Sequence, residues 1–174
     1  MKILMLTDYF YAHVGGTEKV ILELCQRLVS NGHDVRVFTL NIPKTIEEEI
    51  FNNIKIIRVN AQDLTAIIGL QSAISFKAWF KLQKVIEEFK PDIVHAHHQF
   101  LFTTLIGMLL KKRYHIPTVT TLHLGSVDFI SGIKGMIIKK IESFMGKIIN
   151  NNSDLVIAGS KNLRENGIKI GVAP

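Results

Sequence analysis

Short runs of apolar, often β-branched residues alternate along the chain with longer segments in which apolar residues recur every three or four positions. The first pattern predicts β-strands and the second predicts helices. The strands are predicted at residues 2–7, 34–40, 54–59, 93–96, 118–121 and 155–157. Nearly all of these runs are apolar on both faces, as is typical of parallel strands that helices cover on both sides. The alternation therefore predicts an α/β fold with a parallel sheet.

The helices are predicted at residues 17–30, 71–89, 100–112, 133–149 and 160–165. In the first of them, Val20, Leu24 and Leu28 form one apolar stripe, with Ile21 and Cys25 beside it. Residues 41–53 contain Pro43 and three consecutive glutamates, which indicates an exposed excursion between strands. The 174 residues fit one domain, and we expect residues 1–174 to form a single unit.

Composition narrows the classes of protein that this chain can belong to. Hydrophobic residues make up 47% and charged residues 21%, which is typical of a globular protein and not of a disordered one. The single cysteine, Cys25, excludes an internal disulfide and a cysteine-rich zinc site, and it fits a reducing compartment. No segment reaches the roughly 18 to 20 apolar residues of a membrane span, and the apolar start ends at Thr7 without a cleavage site. We therefore expect a cytoplasmic protein.

The formal net charge of +6 attracts phosphates, acidic lipids or nucleic acids. Much of the excess lies in two patches, at residues 111–113 and at lysines between 134 and 147. Solvated helix faces are the preferred explanation of these patches. The chain carries no RNA-binding or helix-turn-helix motif and no interleaved aromatic and basic run, so we expect no nucleic-acid partner.

Two adjacent glycines, Gly15 and Gly16, precede the first helix, and Thr17 follows them as a candidate cap. The free N–H groups at the start of a helix attract anions, phosphate above all. A tight turn between strand and helix needs the same glycines, so both interpretations stay open. The Rossmann dinucleotide fingerprint and the P-loop motif are absent from this turn.

Histidines follow two of the predicted strands, where parallel strands bring their carboxyl ends to one edge of the sheet. His95, His97 and His98 end one strand, and alternation places the first two on one face. Such a pair can ligate zinc, but a third ligand is not visible, and a structural histidine that bonds to neighbouring loops is the alternative. His123 follows the next strand, with Gly125 and Ser126 leaving room for a substrate. A substrate-facing role for these histidines is the remaining interpretation.

Four segments together resemble the N-terminal domain of family 4 retaining glycosyltransferases, which have the GT-B fold. They are residues 1–9 with Gly15, Gly16 and Glu18; residues 32–35; residues 91–97; and residues 116–123 with 153–160. The segments occur in the family's order and spacing over essentially the whole chain. The resemblance implies a Rossmann-like doubly wound parallel sheet with helices on both faces.

The resemblance also implies functions for individual residues. Gly15, Gly16 and Thr17 match the turn that approaches the donor diphosphate, Tyr9 and His97 match the acceptor side, and His123 matches the histidine at the reaction centre. It implies sugar transfer with retention from a nucleotide-sugar donor to a glycan or lipid acceptor, without a cofactor or an obligatory metal. The acidic E-x7-E donor motif of the family's second domain is not found here, so we expect the C-terminal nucleotide-sugar-binding domain to lie outside this chain.

Two other hypotheses compete with the hypothesis that this chain is half of a glycosyltransferase. One is a stand-alone ligand-binding or regulatory domain, and the other is the nucleic-acid-binding module already considered.

The segment 133–149 has features that favour contact with a membrane. It combines Ile137, Ile141, Phe144 and Ile148 with four lysines, and Val127, Phe129 and Ile130 precede it. A basic amphipathic helix can lie on an anionic membrane at the inner face, whereas a helix packed in the core with a solvated basic edge is the alternative.

Overall fold

The computed structural model describes residues 1–42, 44–69, 71–99, 101–125 and 130–173. The strands in these ranges are β1 (Lys2–Leu6), β2 (Asp34–Asn41), β3 (Glu48–Phe51), β4 (Ile54–Asn60), β5 (Gln62–Asp63), β6 (Ala73–Ile74), β7 (Ile93–His97), β8 (Thr118–Leu122) and β9 (Leu155–Ala158). The helices are α1 (Gly16–Ser30), α2 (Thr65–Ile68), α3 (Phe76–Phe89), α4 (Phe102–Tyr114), α5 (Gly132–Asn152) and α6 (Lys161–Lys169).

Seven strands form one sheet in the order β3-β4-β2-β1-β7-β8-β9. All neighbours in this sheet pair in parallel except β3, which runs antiparallel to β4. The chain first builds outward from β1 through β2 to β4, and then returns to add β7 on the other side of β1. The predicted parallel α/β sheet is confirmed.

Successive side chains of β1 enter two separate cores, one on each face of the sheet. Leu4 and Leu6 pack with α3 and α4, while Ile3 and Met5 pack with α1. Because side chains alternate across a strand, a run that is apolar at every position supplies both cores. Helices therefore cover both faces, and the predicted doubly wound Rossmann-like fold is confirmed.

Three local predictions differ from the structure. The buried face of α1 centres on Ile21 and Cys25, whereas Val20 is 54% exposed, because the sheet meets the helix on the neighbouring stripe. Residues 41–53, predicted as an exposed segment between strands, also contain the strand β3. The exposure of its side chains alternates along the strand, which is typical of an edge strand. The helix predicted from residue 71 begins at Phe76, because Ala73 and Ile74 pair with β5.

In the described part of the chain, no helix is long and apolar enough to cross a bilayer.

Candidate functional site

The carboxyl ends of β1, β7 and β8 lie side by side at one edge of the sheet. β1 pairs with β2 on one side and with β7 on the other, so the order of the strands reverses between β1 and β7. Open α/β sheets bind ligands in the crevice outside such a reversal. His97 ends β7, and His123 follows the last residue of β8. The predicted histidines thus converge on this crevice.

His97 and His123 contact each other directly. Nδ1 of His97 and Nε2 of His123 share a hydrogen bond of 3.1 Å. His97 is only 1% exposed, and its ring stacks on that of His95 with 4.2 Å between the centroids. His95 in turn bonds through Nε2 to the hydroxyl of Thr121 at 2.7 Å. His95 and His123 are both partly exposed, and the buried ring of His97 contacts each of them.

Burial keeps these imidazoles neutral at pH 7. It lowers the pKa of His95 and of His98 to about 4, and it lowers the pKa of His97 well below its usual value. Burial also lowers the pKa of His123, while the negative charge of Glu18 opposes that shift. A neutral imidazole has one donor and one acceptor nitrogen, so in the His97–His123 pair one ring donates and the other accepts. Nε2 of His97 has no hydrogen-bond partner among the residues the structure describes.

Gln99 holds the backbone that carries His123. The Gln99 side chain is fully buried, and its Oε1 accepts hydrogen bonds from the backbone N–H groups of His123 and Leu124, both at 3.3 Å. Its amide nitrogen donates to the carbonyl of Leu124. On the same side, the Thr104 hydroxyl bonds to the carbonyl of His98 at 2.9 Å. Two strand ends are thereby fixed relative to each other.

The glycine turn differs in one respect from its prediction. α1 begins at Gly16 with Gly15 as the N-cap residue, and no side chain caps the helix. Thr17 lies inside the first turn, so the expectation that Thr17 caps the helix is wrong. A Cβ added to Gly15 would lie 2.1 Å from Oε2 of Glu18, whereas a Cβ on Gly16 would meet nothing within 4 Å. A side chain at position 15 would therefore displace the Glu18 carboxylate, whereas Gly16 borders open space.

Glu18 connects the glycine turn with the histidine crevice. The residue is 7% exposed, and its Oε1 lies 3.1 Å from Nδ1 of His13. A carboxylate in the first turn is favoured by the helix dipole, and its charge also acts on His123. The expected contact of Gly15, Gly16 and Thr17 with a donor diphosphate stays a prediction.

Tyr9, the expected acceptor-side residue, is nearly buried. Its hydroxyl lies 3.3 Å from Oγ1 of Thr65, and its ring lies 5.0 Å from that of His13. Thr65 lines a cavity of about 560 Å³ between α2, the start of α4 and one face of α5. Asp8 and His98 reach the same cavity, whereas Tyr9 stands behind Thr65. Contact of Tyr9 or His97 with an acceptor stays a prediction.

Sequence reasoning assigned no role to three buried polar residues of this site: Asp8, Glu18 and Gln99. Asp8 follows the first strand, and Gln99 lies two residues past the end of β7, in the layer where ligands bind; that position was the available signal. Among the described residues, no group of three His, Cys, Asp or Glu side chains is arranged to hold a metal ion. Ser126, Val127 and Phe129, which entered the sequence predictions, lie outside the described residues.

Comparison with curated proteins gives relatives of greater length. A protein named uncharacterized glycosyltransferase from Methanocaldococcus jannaschii is 30% identical over 169 residues, which cover 92% of this chain and 42% of that protein. The alpha-monoglucosyldiacylglycerol synthase of Streptococcus pneumoniae is 26% identical over 142 residues, covering 80% of this chain and 30% of the synthase. The matched part of the chain thus spans 30–42% of the length of these relatives.

Solved structures share the fold. Anabaena HepE, solved in complex with UDP-glucose, matches 99% of this chain and 41% of its own with a TM-score of 0.67 and 18% identity. Sucrose-phosphate synthase from Thermosynechococcus elongatus matches with a TM-score of 0.69 and 15% identity. Residues 14–174 match Glycosyltransferase Family 4. The chain, with its glycine turn and its paired histidines at the strand reversal, belongs to Glycosyltransferase Family 4.

Proposed function

We propose that the full-length protein transfers a sugar from a nucleotide-sugar donor to an acceptor hydroxyl with retention of configuration, and that this chain is its acceptor-side domain. The observation that carries the proposal is the pairing of His123 with buried His97 at the strand reversal, in a chain of this family. The nucleotide sugar is a co-substrate, and the proposal includes no cofactor and no metal.

The reaction needs an oriented acceptor and a stabilised leaving group. The acceptor oxygen attacks the anomeric carbon while the bond from that carbon to the diphosphate oxygen breaks, and the acceptor proton passes to the departing diphosphate on the same face. The neutral His123 can bond a sugar hydroxyl and orient the reacting groups. The open start of α1 at Gly16 offers backbone N–H groups to the diphosphate, which develops charge in the transition state.

The solved structures support a nucleotide-sugar donor and a second domain that binds it. HepE, which shares the fold, was solved with UDP-glucose and with UDP and glucose. Since this chain covers about two fifths of HepE, the remainder of a protein of that length has room for a second domain that holds the donor. We infer that residues 1–174 fold by themselves, because two cores close around one sheet. We also infer that they transfer no sugar alone.

The proposal also includes peripheral contact with an anionic membrane, and the residues that support it lie on α5. Ile133, Ile137, Ile141 and Phe144 follow one face of α5 and are 50–75% exposed. Ile148, expected on that face, is partly buried against the core. Lys134, Lys139 and Lys140 are exposed on the same helix. α5 therefore has apolar side chains on an outward face as well as on the face that packs in the core. This differs from the alternative, a helix packed in the core whose exposed edge is only basic.

Two relatives are alpha-monoglucosyldiacylglycerol synthases, from Streptococcus pneumoniae and Acholeplasma laidlawii. Their names indicate a lipid product, which supports work at a membrane surface; that this surface is the inner, cytoplasmic face is part of the proposal. Sedimentation with anionic vesicles at low salt tests this part. We expect pelleting of the full-length protein that high salt weakens, since each lysine near the surface adds about 1 kcal/mol. Equal recovery in the supernatant with and without vesicles would contradict it.

The main proposal is tested with the full-length protein and a panel of UDP-, GDP- and ADP-sugars. We expect one donor to support transfer, and NMR of the product to show the anomeric configuration of the donor sugar. The 174-residue chain, tested in parallel, should unfold cooperatively and release no nucleotide. A full-length protein that binds a nucleotide sugar but neither transfers nor hydrolyses it would instead support the regulatory alternative.

A further inference from the structure

The cavity beside the histidine crevice has the character of a lipid site. We propose that it binds the hydrocarbon chain of a membrane-lipid acceptor, whose hydroxyl-bearing head lies at the histidine end. This inference rests on the proposed function, because it names the acceptor class of that same site.

The walls of the cavity are mostly apolar. Its volume of about 560 Å³ lies within the roughly 300–1,000 Å³ of small-molecule sites. The apolar walls come from three elements: Leu64 and Ile68 from the α2 segment, Leu101 and Leu105 from the start of α4, and Ile138 and Met145 from α5. A sugar ring, which carries a hydroxyl on nearly every carbon, would leave those hydroxyls unpaired against such walls. A hydrocarbon chain has no polar groups that would be left unpaired there, and its transfer from water into the cavity is favourable.

Polar residues also line the cavity, and two of them, Asp8 and His98, follow the strand ends that border the candidate reaction centre. The ring centroid of His98 lies 6.4 Å from that of His123. Asp8 accepts two backbone hydrogen bonds, but a carboxylate has about four acceptor positions, so it retains capacity for a ligand hydroxyl. The cavity thus has the two-part chemistry of an amphiphile, with its polar part next to His123.

The rim of the cavity continues into the exposed apolar face of α5. Ile141 lines the cavity and is also 50% exposed on that face. Across the opening, Ile67 of α2 is 69% exposed, and Nζ of Lys134 on α5 bonds to its carbonyl at 3.3 Å. The rim therefore combines exposed apolar side chains with lysines, the combination that suits an anionic bilayer surface. A lipid chain can enter from the bilayer without crossing water, which is why we commit to a membrane lipid as occupant.

Calorimetric titration with n-alkyl glucosides, from butyl to decyl and below their micelle concentrations, tests the cavity in the full-length protein. Each added methylene should tighten binding about fourfold, the equivalent of ~0.8 kcal/mol, until the cavity is full. Leu105→Trp fills the cavity and should abolish this dependence on chain length. Leu109→Trp is the matched control, because Leu109 lies one turn further along α4 and is 45% exposed. Leu105→Ala enlarges the cavity and should move the plateau to longer chains, which covers the case in which the tryptophan variant does not fold.

Three outcomes would overturn the inference. One is affinity that does not depend on chain length in the unmodified protein. Another is an unchanged length dependence in folded Leu105→Trp. The third is binding to the 174-residue chain but not to the full-length protein, which would assign the cavity to a contact with the other domain. A separate titration with the nucleotide-sugar panel keeps the two proposals apart: donor binding without length dependence sinks only the lipid site, and absent donor binding sinks the proposed function.

Discussion

The Asp8 carboxylate caps α4 from 94 residues away: its Oδ2 accepts a 2.8 Å hydrogen bond from the backbone N–H of Phe102. Its Oδ1 accepts a second from Thr103, at 2.7 Å. Leu101, the N-cap residue of α4, has no side chain that can do this. The end of β1 and the start of α4 are thereby joined across the strand reversal, and burial raises the pKa of Asp8 to about 6. This one side chain therefore links two of the elements that border the crevice.

Replacing Asp8 by Ala should lower the free energy of unfolding by about 1–3 kcal/mol, because two N–H groups in the first turn of α4 lose their acceptor. Chemical denaturation monitored by circular dichroism measures the loss. Asp92→Ala is the control, since Asp92 also accepts a backbone N–H, from Lys2, but on the exposed surface. Equal losses for the two variants would show that α4 does not depend on Asp8.

The two glycines should respond in opposite ways to alanine. Gly15→Ala should destabilise the fold by roughly 1–2 kcal/mol, because its Cβ displaces the Glu18 carboxylate from His13. In a Glu18→Ala background the same substitution should cost less than about 0.5 kcal/mol. Gly16→Ala should stabilise α1 by about 0.5–1 kcal/mol, since alanine is the better helix former and meets no neighbour.

Gly16→Ala also tests the diphosphate contact. In the full-length protein it should raise the KM for the donor although the protein is more stable, because the added methyl occupies the space that the diphosphate approaches. Unchanged donor kinetics in a stabilised Gly16→Ala variant would remove Gly16 from the donor site.

His123→Ala should lower turnover of the full-length protein by on the order of ten- to a thousand-fold, the scale of one lost transition-state contact. The substitution also removes the hydrogen bond to His97, so we expect a stability loss of about 1 kcal/mol. His115→Ala, at the exposed C-terminal end of α4, should retain activity. A His123 variant with full turnover and a large loss of stability would identify a purely structural histidine.

Stability should fall in acid because the histidines of β7 are buried in neutral form. The pKa of His95 is lowered from 6.5 to about 4. At a pH between these two values, His95 is protonated in the unfolded chain but not in the folded protein. This contribution to stability is fully present above pH 6.5 and is lost as the pH falls towards 4. His95→Gln should reduce the drop in melting temperature between pH 6.5 and 4. The same comparison at pH 8 isolates the lost bond to Thr121, and an identical acid profile in both proteins would contradict the prediction.

The order of the longer helices and of the parallel strands followed from the sequence because periodicity is a local property, whereas the short β5, α2 and β6 were not predicted. A run such as residues 2–6, apolar at nearly every position, can be buried only between two layers of helices, and this determined the fold class. The same alternation of strands and helices predicts His97, His123 and the glycine turn at the carboxyl edge of the sheet. The edge strand β3 was not predicted, because it begins with two of three consecutive glutamates, a polar run that resembles a loop.

Tertiary structure alone decided which of these groups touch. Asp8 accepts hydrogen bonds from α4, Gln99 accepts one from the backbone of His123, and the cavity lies between α2, α4 and α5. All three depend on the strand order, in which the chain returns from β4 to place β7 beside β1. Contacts between residues so far apart depend on strand order and on the packing of helices over the sheet. No spacing along the chain records them, since each partner has an ordinary local pattern and acquires its role from the neighbour that the fold brings to it.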